Sequence, residues 1–98
     1  MKVVIKEPGV ASYGADIPNT LEDLQKVVGG YIEVLGVMDG LVIICNEEGR
    51  LQDLKYNCEF AGIDFVGTII FAGTDGEGDF TDIPDDLARL VMRELWGR

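Results

Sequence analysis

The chain has 98 residues, 47% of them hydrophobic, with eight basic side chains against eighteen acidic ones and a formal charge of −10. That hydrophobic share excludes a disordered chain, and the length fits one domain with a single core. Binding to nucleic-acid phosphates needs a face rich in Lys and Arg, so direct nucleic-acid contact is not expected. Such acidity fits plain solubility, or a surface that imitates nucleic acid before a basic partner.

Lys2 to Lys6 is β-branched at its centre and reads as the first strand. Glu7-Pro8-Gly9 ends it in a turn, and residues 10 to 18 form a loop or short edge strand. Asn19 has N-cap chemistry, and Glu22 follows at capping-box spacing. Leu21, Leu24, Val27 and Val28 then fall on one helical face, and Gly29 supplies the left-handed stop. Tyr31 to Leu35 reads as a strand, Asp39-Gly40 as a hairpin turn, and Leu41 to Cys45 as a strand buried on both faces.

Asn46 to Gly49 is a second turn, and Arg50 to Leu54 is read as a short return strand. Lys55 to Asp64 is expected to be irregular, with a helical turn near Asn57 to Ala61. Phe65 to Ala72 reads as one central strand. Thr74 to Asp82 is an acidic, glycine-rich loop, and Pro84 suits the first turn of a last helix. That helix should bury Leu87, Leu90, Val91 and Leu95, and pack Trp96. The expected fold is α+β: a mostly antiparallel sheet with two helices on one face, in the order β-α-β-β-(β)-β-α, as a single domain over residues 1–98.

Few chemistries survive the residue inventory. Histidine is absent, which removes Ser-His and Cys-His pairs and His-bound metals. Cys45 and Cys58 match neither a C-x-x-C nor a zinc pattern, and both are expected as buried free thiols in a reducing cytoplasm. Met1 to Lys6 turns charged too soon for a signal peptide, and no apolar run reaches the length of a membrane span. Gly29-Gly30 follows a helix and lacks a phosphate-loop lysine.

Asp75 to Asp86 places carboxylates at positions one, three, five and twelve of a calcium-loop template. Phe80 stands where that template needs glycine and Asp82 where it needs an apolar residue. No metal or other cofactor is therefore assigned. The same carboxylates instead form an acidic patch ahead of a helix N-terminus. Glu47 and Glu48 add two more in a turn. Tyr13, Tyr31 and Tyr56 have the rings that stack on planar ligands, and they also suit half-buried strands.

The run Asn19-Thr20-Leu21-Glu22-Asp23-Leu24-Gln25, leading into Val28-Gly29-Gly30-Tyr31-Ile32-Glu33, resembles a family of small bacterial, phage and mobile-element proteins. That family is known as a domain of unknown function. Cys45-Asn46-Glu47-Glu48-Gly49, Val66-Gly67-Thr68 and Gly78-Asp79-Phe80 extend the likeness over most of the chain. Lys55-Tyr56-Asn57 departs from it, where such proteins often carry a proline. The resemblance implies no reaction and no catalytic residue. It implies the setting of an accessory factor, often one acting against host defences.

The leading expectation is therefore a non-enzymatic, anti-defence accessory protein. It would bind a host protein with a basic, nucleic-acid-binding surface through Glu47, Glu48, Asp75, Glu77, Asp79 and Asp82. The alternative is a protein that sequesters a small molecule or nucleotide signal, with Tyr13, Tyr31, Tyr56, Arg50 and Lys55 at the ligand. A homodimer or larger oligomer is also expected, through a sheet edge or an open sheet face.

Overall fold

A computed structural model describes all residues, Met1–Arg98. Its elements are β1 (Lys2–Lys6), β2 (Tyr13–Asp16), α1 (Leu21–Val28), β3 (Ile32–Met38), β4 (Leu41–Asn46), β5 (Tyr56–Phe60), β6 (Ile63–Val66), β7 (Ile69–Thr74), β8 (Phe80–Thr81) and α2 (Asp85–Glu94). The main sheet runs β2-β1-β7-β4-β3, with β8 paired to the end of β7, and every pairing is antiparallel. The α+β class and the antiparallel sheet are as the sequence predicts.

The helices do not share a face. Side chains alternate across a strand, and that alternation splits the core in two. Val3, Ile5, Val42, Ile44, Ile70 and Ala72 point to one side and pack on Leu24 and Val28 of α1. Val4, Leu41, Ile43, Cys45, Ile69 and Phe71 point to the other, where Val91 and Leu95 of α2 cover them together with the β5–β6 hairpin. Strands apolar on both sides, as β4 and β7 are, need cover on both sides. Two helices on one face would leave Val42, Ile44 and Ile70 in water. No open sheet face therefore remains for self-association.

The first helix is capped one residue later than expected. Thr20, not Asn19, is the N-cap: its hydroxyl accepts from the Asp23 amide at 3.1 Å and donates to the Asp23 carboxylate. Asn19 reaches away and donates to the Phe80 carbonyl at 3.1 Å. Leu21, in the first turn, stays exposed. Gly29 stops the helix at φ 82° as predicted, its amide bonding the Gln25 carbonyl at 2.8 Å. The hairpin then turns at Asp39-Gly40, with Gly40 at φ 79°.

The second half departs further. Arg50 to Leu54 makes turns rather than a return strand. Lys55 to Asp64 is not irregular: it contains β5 and the start of β6, a separate two-stranded sheet. Phe65 to Ala72 is not one strand either. Gly67, at φ 72°, breaks it and sends β6 and β7 into different sheets. Phe60 of the small hairpin meets Phe71 edge to face at 5.0 Å and ties the hairpin to the main sheet. Trp96 does not pack but is 86% exposed, since it lies one residue beyond Leu95 and so off the buried stripe. No helix is long and apolar enough to cross a membrane.

Candidate functional site

Asn46, at the end of β4, joins two segments that are distant in the chain. It is 6% exposed, yet both ends of its amide are engaged. Its Nδ2 donates to the Val28 carbonyl and to Gln52 Oε1, each at 3.2 Å, and its Oδ1 accepts from the Glu48 amide at 2.8 Å. One side chain thus binds the end of α1 to the turn after β4. Gly30 must lack a side chain here, because a Cβ would stand 2.9 Å from Asn46 Nδ2. The glycine pair and the Cys-Asn-Glu-Glu-Gly run are therefore two halves of one joint. The cap chemistry of Gly29 is visible in sequence, whereas Asn46 is hidden there at the end of an apolar strand.

This joint forms one end of a groove of about 270 Å³. Glu33 and Leu35 of β3 line one wall, Ile63 to Val66 of β6 the other, and residues 45 to 51 close the end. The groove holds the carboxylates of Glu33, Glu47, Glu48 and Asp64 against the single guanidinium of Arg50, a net of three negative charges. Two further hollows, of about 280 and 390 Å³, lie between Phe60 and Leu90 and between Ala15 and Met92. Neither gathers motif residues and charges in this way.

Cys45 sits at the bottom of the groove, opposite Glu33 in the β3–β4 ladder. Burial pushes its thiol up to about 11, and the Glu33 charge adds to the rise. A thiol so raised is a poor nucleophile at neutral pH. Cys58 is also buried and raised by that burial, although Lys6 and Arg98 pull it back down. Both cysteines are free, as the sequence predicts.

The structure divides the six candidate acids into two groups. Glu47 and Glu48 line the groove. Asp75, Glu77 and Asp79 lie at the other end of the sheet, where the Thr74 amide bonds the Gly40 carbonyl. The length of β4 alone separates the two ends by roughly 17 Å. Asp82 accepts from the Lys2 amide at 2.8 Å and is tied to the start of β1. Within the loop, Asp75 Oδ1 accepts from the amides of Glu77 and Asp79 at 2.8 and 3.2 Å. Its carboxylates do not gather into a group of three that would ring a cation.

The five alternative ligand residues are dispersed as well. Arg50 lines the groove and donates to the Asp64 carbonyl at 3.0 Å. Tyr56 reaches the groove indirectly, its hydroxyl donating to Asp64 Oδ1 at 2.9 Å, a bond that raises its pKa. Tyr31 and Lys55 are exposed and line no wall of it. Tyr13 is on β2, at the far edge of the sheet, and bonds Glu7 at 2.7 Å, which raises its pKa too. An aromatic-walled nucleotide pocket is not assembled, and four carboxylates repel a phosphate.

Comparison with curated proteins and with solved structures gave no match. The family described as "Domain of unknown function (DUF3846)" matches residues 1–95, and the chain belongs to it.

Proposed function

We propose that this domain is a non-catalytic binding protein whose carboxylates occupy the basic, nucleic-acid-binding surface of a partner protein. In the setting of a phage or mobile element, that partner would be a host defence protein, and the outcome its inhibition. One observation carries the reading: the acidic charge is not spent within the fold. Of eighteen acidic side chains, only Asp16 and Glu22 lie within 4 Å of a cationic group. The other sixteen face solvent or hydrogen-bond donors without a counter-charge. Unpaired like charges destabilise a compact state, so a surface kept this way suits a cationic partner that relieves them. Such charge gives on-rate and selectivity more than raw affinity.

The test is competition for nucleic acid. A bacterial host lysate is loaded on duplex DNA-cellulose at low salt and washed with the domain. Release of a discrete DNA-binding protein is expected, and an unrelated protein of equal net charge should not reproduce it. Neutralising Asp75, Glu77 and Asp79 together (Asp to Asn, Glu to Gln) should weaken that release and flatten its salt dependence. If the domain releases nothing, or no more than the unrelated acidic protein, the reading is wrong.

A further inference from the structure

The groove runs beside a strand edge that the fold leaves open. The order β2-β1-β7-β4-β3 makes β3 an edge, seven residues long against four for β2. The Tyr31 carbonyl accepts from the Glu47 amide at 2.8 Å, which fixes the phase of the β3–β4 ladder. Alternate residues of an antiparallel strand point their backbone groups to opposite sides. Glu33 and Leu35 therefore face β4, while Ile32, Val34 and Gly36 turn their N–H and C=O groups outward. No turn, loop or side-chain hydrogen bond takes up these outward groups.

The edge also lacks most of the usual protection. Proteins blunt exposed edges with lysines, prolines or inward charges. β3 has neither lysine nor proline, and its one charge is Glu33. A register shift near Gly36 and Met38 bends only its far end. Val34 is 42% exposed along it. The facing edge of β6 is different, because Arg50 already caps its Asp64 carbonyl.

We propose that β3 is a strand-docking site for an extended segment of a partner, one that mixes apolar and basic side chains. The partner backbone would pair with Ile32, Val34 and Gly36. An apolar side chain would enter the groove beside Leu35, and basic ones would meet Glu33, Glu47 and Glu48. Charge decides the occupant: a second copy would bring another ten negative charges, whereas a basic segment neutralises a groove of net negative charge. At about 270 Å³ the groove is below the range of roughly 300–1,000 Å³ usual for small-molecule pockets, and it suits side chains of a docked strand. Main-chain pairing would supply affinity and alternate side chains selectivity. This site rests on the reading of a basic partner and gives that partner a place to bind.

The probe is a blocked, fluorescent peptide, Lys-Val-Val-Lys-Lys-Val-Val, which presents both residue types on each of its faces. Binding is read by anisotropy, and hydrogen exchange is followed amide by amide. The peptide should bind and slow exchange at Ile32, Val34 and Gly36 by tenfold or more. A copy N-methylated at alternate residues keeps its charge but cannot donate along one edge, and it should bind at least tenfold more weakly. Val34→Pro removes only an outward N–H, a change that edge strands tolerate, and it should weaken binding to a similar degree. Equal binding of the N-methylated peptide, or no protection at those amides, would overturn the site. So would a concentration-dependent dimer of the chain alone that V34P dissolves, since a second copy would then be the occupant. If the peptide fails while the domain still releases protein from DNA-cellulose, only the edge site falls. If the peptide binds with protection and nothing is released, the edge site stands and the wider reading falls.

Discussion

Lys6 and Asn57 hold each other inside the protein, fifty-one residues apart. Lys6 is wholly buried, and its Nζ donates to Asn57 Oδ1 at 3.1 Å and to the Glu7 carbonyl at 2.8 Å. Asn57 returns the bond, its Nδ2 donating to the carbonyls of Lys6 and Gly67, each at 2.7 Å. The ammonium has no carboxylate within ion-pair range, in a chain with eighteen of them. The pair fastens the end of β1 to the β5–β6 hairpin and so positions the wall of the groove.

Breaking this pair from one side should be costly. Asn57→Leu leaves a buried cation with one acceptor and strips a donor from two buried carbonyls. The expected loss is about 3 kcal/mol or more, read as a shift in the urea midpoint. Lys6→Met removes the charge and keeps the stem's volume, and should cost about 1–2 kcal/mol, because it orphans only the Asn57 oxygen. Equal losses would show that the side-chain amide, and not the stranded charge, sets the cost.

The cap of α1 makes a sharper comparison. Thr20→Ala removes the hydroxyl that serves the Asp23 amide and should cost about 1 kcal/mol. Asn19→Ala loses one exposed bond to Phe80 and should cost less than half of that. Thermal melts of the two variants distinguish them, and the reverse order would restore Asn19 as the cap.

The chain signals some elements strongly and others not at all, for identifiable reasons. Gly29 and Asp39-Gly40 are legible because glycine takes positive φ without strain, and those turns require it. The β5–β6 turn has the same backbone need but meets it with Ala61 at φ 52° before Gly62. Alanine gives no turn signal, so the hairpin is hidden, and with it the second wall of the groove. Asn46 and Asn57 read as loop or turn residues, yet each spans distant segments from a buried strand position. Long-range polar joints leave no local pattern. The two-sided cover of the sheet was legible in principle, since an apolar strand such as Leu41 to Cys45 needs both faces covered.

The thiols offer a pH-dependent check. Folding raises the Cys45 thiol from 9.0 to about 11. At pH 8 this lowers the thiolate fraction about a hundredfold, the two-unit difference read as a ratio. Labelling of native Cys45 by an exposed-thiol reagent should be slower than in denaturant by at least that factor, with limited access adding to it. The folded chain keeps the proton to higher pH than the unfolded one. The stability linked to Cys45 is therefore full below pH 9.0 and is lost as the pH rises to about 11. A Cys45→Ala variant should therefore show a shallower alkaline slope. What is left belongs to Cys58, Tyr13 and Tyr56, whose protons folding also holds to higher pH. An unchanged slope would assign all of it to those groups.

The acidic loop separates charge from geometry. Asp75 Oδ1 accepts two backbone amides and closes the loop on itself, whereas no hydrogen bond is made by the carboxylates of Glu77 or Asp79. Asp75→Asn keeps an acceptor oxygen, while Asp75→Ala removes it. The alanine variant should therefore be less stable than the asparagine variant by about 1 kcal/mol. Glu77→Gln and Asp79→Asn remove charge alone, and each should lie within about 0.5 kcal/mol of the parent, on the stabilising side. Salt distinguishes the two effects. Between about 0.01 and 1 M, the screening length falls from about 30 to about 3 Å. The parent's melting temperature should climb over that range as repulsion among these carboxylates is screened. The triple-neutral variant should start higher at low salt and climb less, while the gap between the alanine and asparagine variants at Asp75 should hardly change. If that gap closes with salt, the Asp75 carboxylate acts through its charge. The loop would then owe its shape to electrostatics, and the triple-neutral variant would no longer be a clean test of partner binding.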